Sequence, residues 1–207
     1  MIIQIPINGF DNNFSYFVHD GEDKGIGIVD PGDMPTLKER IQSEGWVPLF
    51  ILVTHSHADH VQGVAEMAEE YDIPVYMHHE AEGMLKTGDA DVILLEDSDM
   101  LEVGNLKIQV MHTPGHIEDA VCYLIGKDLI TGDTVFVEGC GRADLAGGDV
   151  KKLYDSIQRI KELPEDTKIY PGHDYGSQPV SDIAWEKKHN KYFLCESFEE
   201  FEKLRMG

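Results

Sequence analysis

The sequence predicts one α/β domain spanning residues 1–207, with two β-sheets packed face to face and helices on their outer surfaces. Two observations carry this. A β-rich stretch followed by an amphipathic helical one occurs in the first half of the chain and recurs in the second. A chain of 207 residues that is 42% hydrophobic also holds enough apolar mass for one sizeable core and too much for a disordered chain.

In chain order, Ile2 to Ile7, Phe14 to His19 and Gly25 to Val29 read as strands of a meander, separated by Asn8-Gly9 and Asp20-Gly21 turn signals. Asp30-Pro31-Gly32-Asp33 is a tight turn, with Asp30 in a turn-stabilising role. Pro35 then opens a helix with Leu37, Ile41 and Trp46 facing inward. Leu49 to Val53 is a buried strand, after which Val61, Val64, Ala65, Ala68 and Tyr71 recur at helical spacing. Pro74 to Met77 is a short strand and Glu80 to Lys86 a helix; residues 87 to 99 form an acidic surface connection. Leu106 to Met111, Ala120 to Ile125 and Leu129 to Thr131 are strands, the last two joined through Gly126-Lys127-Asp128. Val150, Leu153, Ile157 and Ile160 mark the apolar face of a further helix. Lys168 to Tyr170 is the last strand, and helical segments near Ser181 to Asn190 and Ser197 to Leu204 follow.

Charge narrows the function. The 39 acidic residues against 17 basic ones give a formal net charge of −22, which repels phosphate backbones and argues against nucleic acid as a partner. Cys122, Cys140 and Cys195 lie far apart without paired spacing, so reduced thiols in a cytoplasm are expected, with Cys122 and Cys140 as small core residues. The N-terminal Met1-Ile2-Ile3-Gln4-Ile5-Pro6 has no signal-peptide pattern, and no apolar run approaches the ~20 residues of a membrane span. A soluble cytoplasmic protein without a membrane partner is expected; homo-oligomerisation is left open.

The chemistry concentrates in Thr54-His55-Ser56-His57-Ala58-Asp59-His60, where three imidazoles and a carboxylate crowd the turn between a strand and a helix. Neutral imidazole and carboxylate suit zinc, iron or manganese. Pro114-Gly115-His116, Pro171-Gly172-His173 and Thr131-Gly132-Asp133 each place one more such residue just past a strand end, where glycine lets the backbone turn. His19, His78, His79 and His189 lack such a context and read as ordinary surface or core histidines; His112, at a strand end four residues before His116, is placed to support the site, but an ordinary buried polar group is the preferred reading.

Together these motifs resemble the metallo-β-lactamase superfamily, over nearly the whole chain. The resemblance implies a four-layer αβ/βα sandwich with two mixed sheets and metals at one rim. It implies that His55, His57 and His116 hold one divalent metal, that Asp59, His60 and His173 hold a second, and that Asp133 bridges them. Asp59 and Asp133 are then the catalytic carboxylates. Such a pair would generate hydroxide at neutral pH and stabilise the negative charge that develops at an attacked carbonyl.

Within the superfamily, Leu129 to Arg142 and Leu163 to Tyr175 look like the glyoxalase II and persulfide dioxygenase branch, which acts on glutathione-linked sulfur compounds. Arg142 and Tyr175 stand where glyoxalase II contacts glutathione. Two departures are visible: the chain ends at Gly207 without the long helical tail of glyoxalase II, and Ile117-Glu118-Asp119 follows His116 where the family has Thr and Gly. The favoured reading is a thioester hydrolase resembling a compact glyoxalase II with two divalent metals (zinc, iron or manganese). The alternatives are a persulfide dioxygenase with one Fe(II) on His55, His116 and Asp133, and a non-enzymatic metal-binding domain.

Overall fold

The computed structural model describes residues 1–7, 11–19, 21 and 24–207; Asn8, Gly9 and Asp20 of the anticipated turns lie outside the described residues. The first half runs β1 (Ile2–Pro6), β2 (Phe14–His19), β3 (Gly25–Val29), α1 (Met34–Glu44), β4 (Val47–Leu52), α2 (Ala58–Val61), α3 (Val64–Tyr71), β5 (Val75–His78) and β6 (Val92–Leu95). These strands form one sheet in sequence order, antiparallel from β1 to β3 and parallel from β3 to β6. The second half runs β7 (Met100–Val103), β8 (Leu106–His112), β9 (Val121–Ile125), β10 (Asp128–Gly132), the hairpin β11 (Val135–Phe136) and β12 (Gly139–Cys140), α4 (Val150–Lys161), β13 (Lys168–Pro171), β14 (Ser181–Asp182), α5 (Ile183–His189) and α6 (Phe198–Met206). Its main sheet has the order β14-β13-β10-β9-β8-β7, with β10 and β13 parallel.

The period-2 alternation of each strand decides the layers. On β4, Phe50 and Leu52 point into the core between the sheets, with Tyr16 and Val18 of β2 and Val110, Tyr123 and Ile130 of the second sheet. Ile51 and Val53 point the other way, onto Leu37 and Ile41 of α1 and Met67 of α3. Leu153, Ile157 and Ile160 of α4 cover the outer face of the second sheet with Phe201 of α6. The result is the four-layer αβ/βα sandwich with two mixed sheets. Tyr123 stitches the sheets together, its hydroxyl donating to the Val53 carbonyl at 2.7 Å.

Three expectations are corrected. Glu80 to Lys86 is not a helix: after a single 3₁₀ turn at His79–Ala81 the chain reaches Gly83 at φ +78°, where helical geometry ends. The connection 87–99 contains β6, whose alternation is masked because an edge strand leaves Val92, Ile93 and Leu94 all partly exposed. The segment near Ser181 begins as β14 paired with β13, and its helix starts only at Ile183, capped by Asp182 through the Trp185 amide at 2.7 Å.

Candidate metal centre

Strand ends build the site. β4 runs out at Leu52, and the following Thr54 is pinned by Asp30, just past β3, whose Oδ1 accepts the Thr54 amide at 2.7 Å and whose Oδ2 accepts its hydroxyl at 2.5 Å. This fixes where His55 leaves the sheet. His57 is the extended residue before α2, so Asp59 and His60 sit in that single helical turn and face a different side. His116 arrives on the loop after β8, Asp133 directly after β10 and His173 two residues past β13's Pro171. The His116 loop is held from beneath by α4, where Ser156 Oγ donates to the Pro114 carbonyl at 2.8 Å. Gly172 is needed for close approach: a Cβ there would lie 2.3 Å from Asp133 Oδ1.

The seven residues named from the sequence converge in two groups. One potential ligand atom from each of His55, His57 and His116 lies within 4.8 Å of the others, and the same is true of Asp59, His60 and His173. Asp133 Oδ2 reaches both groups, 3.5 Å from His116 Nε2 and 3.2 Å from His173 Nε2. Ring nitrogens on the far side are engaged: His116 Nδ1 lies 2.8 Å from the Arg142 carbonyl, His173 Nδ1 2.9 Å from the Asp11 carbonyl and His60 Nδ1 3.0 Å from Asp30 Oδ2. Those acceptors assign the proton to Nδ1 in each ring and leave the Nε2 lone pair facing the site.

A metal fits these residues. His55 Nε2 and Asp133 Oδ1 are buried without a hydrogen-bond partner, and buried polar atoms in a folded protein are otherwise paired. Imidazole nitrogens confront each other at 2.9 Å between His116 Nε2 and His57 Nδ1 and at 3.3 Å between His60 and His173 Nε2, an arrangement that asks for a cation between lone pairs. Burial alone would raise the Asp133 carboxyl, but the neighbouring His60 ring, with His173 and His55, holds it well below the usual carboxylate range. Burial would lower the His60 ring, yet Asp133 and Asp30 hold it well above the ordinary imidazole value. Burial, reinforced by His60, pushes His55 well below it.

Arg142 and Tyr175 stand at the mouth, a cavity of about 360 Å³ whose walls include Phe136 and Leu145. The Arg142 guanidinium is bidentate on Asp144, at 2.9 and 2.7 Å, and both side chains are exposed. Tyr175 stacks on His173, with ring centroids 4.7 Å apart and planes 7° from parallel, and donates its hydroxyl to Asp11.

Sequence reading preferred a turn role for Asp30, although it matches an Asp that the superfamily places near the site, and passed over Asn13. Asp30 fixes both Thr54 and His60, and Asn13 Nδ2 donates to Asp59 Oδ2 at 2.8 Å. The unusual φ of +50° at Asp30 is a tertiary feature, and Asn13 belongs to no motif; its position is set by a bridge to His173. In the departure after His116, buried Asp119 accepts from Ser56 Oγ at 3.2 Å, tying the two ligand loops together. His112 lies outside this centre, its Nε2 donating to the Glu118 carbonyl at 2.8 Å.

Comparisons with known proteins identify the family. The family model described as the metallo-beta-lactamase superfamily matches residues 8–173. A probable polyketide biosynthesis zinc-dependent hydrolase of Bacillus subtilis is 33% identical over 93% of this chain and 87% of its own length. A hydroxyacylglutathione hydrolase of Rhodopseudomonas palustris is 37% identical over 82% of this chain, which spans 65% of that protein's length. Among solved structures, ETHE1 from Myxococcus xanthus superposes with a TM-score of 0.88 at 30% identity, covering 100% of this chain and 90% of ETHE1. The di-iron-bound form of TTHA1623 gives 0.78 at 32% identity, covering 92% and 99%.

Proposed function

The chain belongs to the metallo-β-lactamase superfamily, and from that premise we propose that it is a metal-dependent thioester hydrolase acting on acyl-glutathione-type substrates. The observation that carries the reading is the pair of donor groups joined by Asp133, with a buried, unpartnered nitrogen at His55. His55, His57 and His116 would hold one divalent ion and Asp59, His60 and His173 a second, with Asp133 shared; zinc is supported by one relative's name and iron by another's structure. When bound, the ions supply Lewis-acid polarisation of the thioester carbonyl and acidify water toward neutral pH.

The chain's own residues do the rest. Asp59 and Asp133 offset the cationic charge, and Asp59, held by Asn13 and the more open of the two carboxylates, orients the attacking water and accepts its proton. Asp30 keeps the His60 ring turned into the site. The leaving thiolate needs little help from a general acid because it is a weak base. At the rim, Tyr175 offers a flat face beside His173 and Arg142 a cation for a substrate carboxylate.

The test is thiol release from S-lactoylglutathione by protein reconstituted with zinc or iron. Turnover that vanishes on chelation and returns with metal supports the reading, and R142A and Y175A should raise KM with little change in kcat. A second reading has its own observation: the chain matches ETHE1 end to end, whereas it spans only 65% of the hydroxyacylglutathione hydrolase. Oxygen uptake with glutathione persulfide by protein holding one iron, without thiol release from the thioester, would replace hydrolase with persulfide dioxygenase.

A further inference from the structure

We propose that the chain binds an additional divalent cation of the zinc class at His78, His79 and Glu96, separate from the centre above. β5 ends at His78 and passes straight into His79; its parallel neighbour β6 ends at Leu95, the partner of His78 in the ladder, and delivers Glu96 next. The two strand ends therefore bring two imidazoles and a carboxylate to one corner of the rim. One potential ligand atom from each lies within 4.8 Å of the others, and His79 Nδ1 is 3.2 Å from Glu96 Oε2.

The second observation is the one that marks the main centre. His78 Nε2 is buried and without a hydrogen-bond partner, as His55 Nε2 is, and the buried His79 Nδ1 has the Glu96 carboxylate beside it without an aligned hydrogen bond. His78 itself is 1% exposed, so water does not satisfy it. The neighbours fit the role. Glu80 Oε1 lies 3.3 Å from His79 Nε2, where a carboxylate fixes the proton on that outer nitrogen and leaves the Nδ1 lone pair for a cation. His112 stacks on His78 with centroids 3.9 Å apart and planes 16° from parallel, holding the ring in place. Burial, helped by His112 and His79, pushes the His78 ring down to about 4, which keeps it neutral as a ligand must be.

Two neutral imidazoles and one carboxylate are a zinc donor set with an open fourth position for water. His79 and Glu96 are exposed enough to give an entry path. In the metal-free ring, Nδ1 of His78 accepts the Glu80 amide at 3.3 Å, so the proton resides on Nε2. Binding through Nε2 moves that proton to Nδ1 and gives up this long bond.

The experiment compares zinc content per chain, after chelation, saturation and desalting, in the parent and in E96Q and H79A/E96Q. These positions lie at the surface and outside the hydrolytic machinery, so thioester turnover should be unchanged in both variants. The expected result is one zinc fewer per chain in H79A/E96Q than in the parent, with E96Q retaining it more weakly. In histidine-resolved nitrogen NMR of D133A, the His78 and His79 ring nitrogens should shift on zinc addition. Equal zinc content in parent and double variant, or ring nitrogens of His78 and His79 that do not respond to zinc, would overturn the proposal.

Discussion

Asp30 spends both carboxylate oxygens on the ligand loop, accepting from Thr54 through its amide and hydroxyl and facing His60 Nδ1 at 3.0 Å. Replacing a carboxylate that orients a metal-bound histidine typically costs about 10–100-fold in metal affinity or activity. D30N should fall in that range while folding normally, as read from metal retained on dialysis and from turnover; an unchanged variant would reduce Asp30 to the turn residue its sequence context suggests. Titration gives a second test at this scale. Burial lowers His60 and His173, but Asp133 outweighs it and holds both rings above the ordinary imidazole value. A raised folded-state pKa stabilises the metal-free fold fully below about pH 6.5, and that contribution is lost as pH rises through the raised values. Metal uptake has the opposite sign, because the cation displaces those protons: affinity should strengthen as pH rises above about 6.5, with protons released on binding. Calorimetry in buffers of different ionisation enthalpy measures that release, and finding none would contradict the assignment. The residues that converge here were legible because each follows a strand end in a His- or Asp-bearing turn. Asn13 was not, and Asp30 only through its resemblance to a superfamily Asp, since their roles come from contacts with residues 46 and 30 positions away.

At the scale of elements, two glycines separate site from scaffold. Gly172 needs close approach: alanine would place Cβ 2.3 Å from Asp133 Oδ1 and 2.9 Å from His60 Cε1. G172A should lose bound metal and turnover while its denaturation midpoint stays near the parent's. Gly115 has φ +130°, and its Cβ would meet the Leu153 backbone nitrogen of α4 at 2.1 Å. G115A should instead destabilise the fold by roughly 2–4 kcal/mol, through backbone strain and overpacking, measurable as a lower denaturant midpoint. The same level shows where sequence reading worked. β2 to β4 and α4 carry alternation or a helical stripe strong enough to read, because each has one face in a core. β6 has only Leu95 well buried and is flanked by acidic residues, so its hydrogen bonds to β5 define it where its pattern does not.

The whole molecule carries a formal charge of −22, and its cavity mouth adds Asp11 and Asp59 while Arg142, its nearby cation, is already paired with Asp144. An acyl-glutathione is itself anionic, so at low ionic strength the long-range field opposes its approach. Salt screens this repulsion, since the Debye length shrinks from about 30 Å at 0.01 M to about 8 Å at 0.15 M. The metal centre would resist such screening because its residues are largely buried. The two effects separate by kinetic parameter. Raising salt from 0.01 to 0.15 M should increase kcat/KM for the anionic thioester severalfold with kcat nearly constant, whereas an uncharged thioester of the same acyl group should show neither change. If kcat/KM for the anionic substrate fell with salt instead, attraction by the exposed Arg142 would outweigh the field of the acidic surface, and substrate capture would be a local property of the rim.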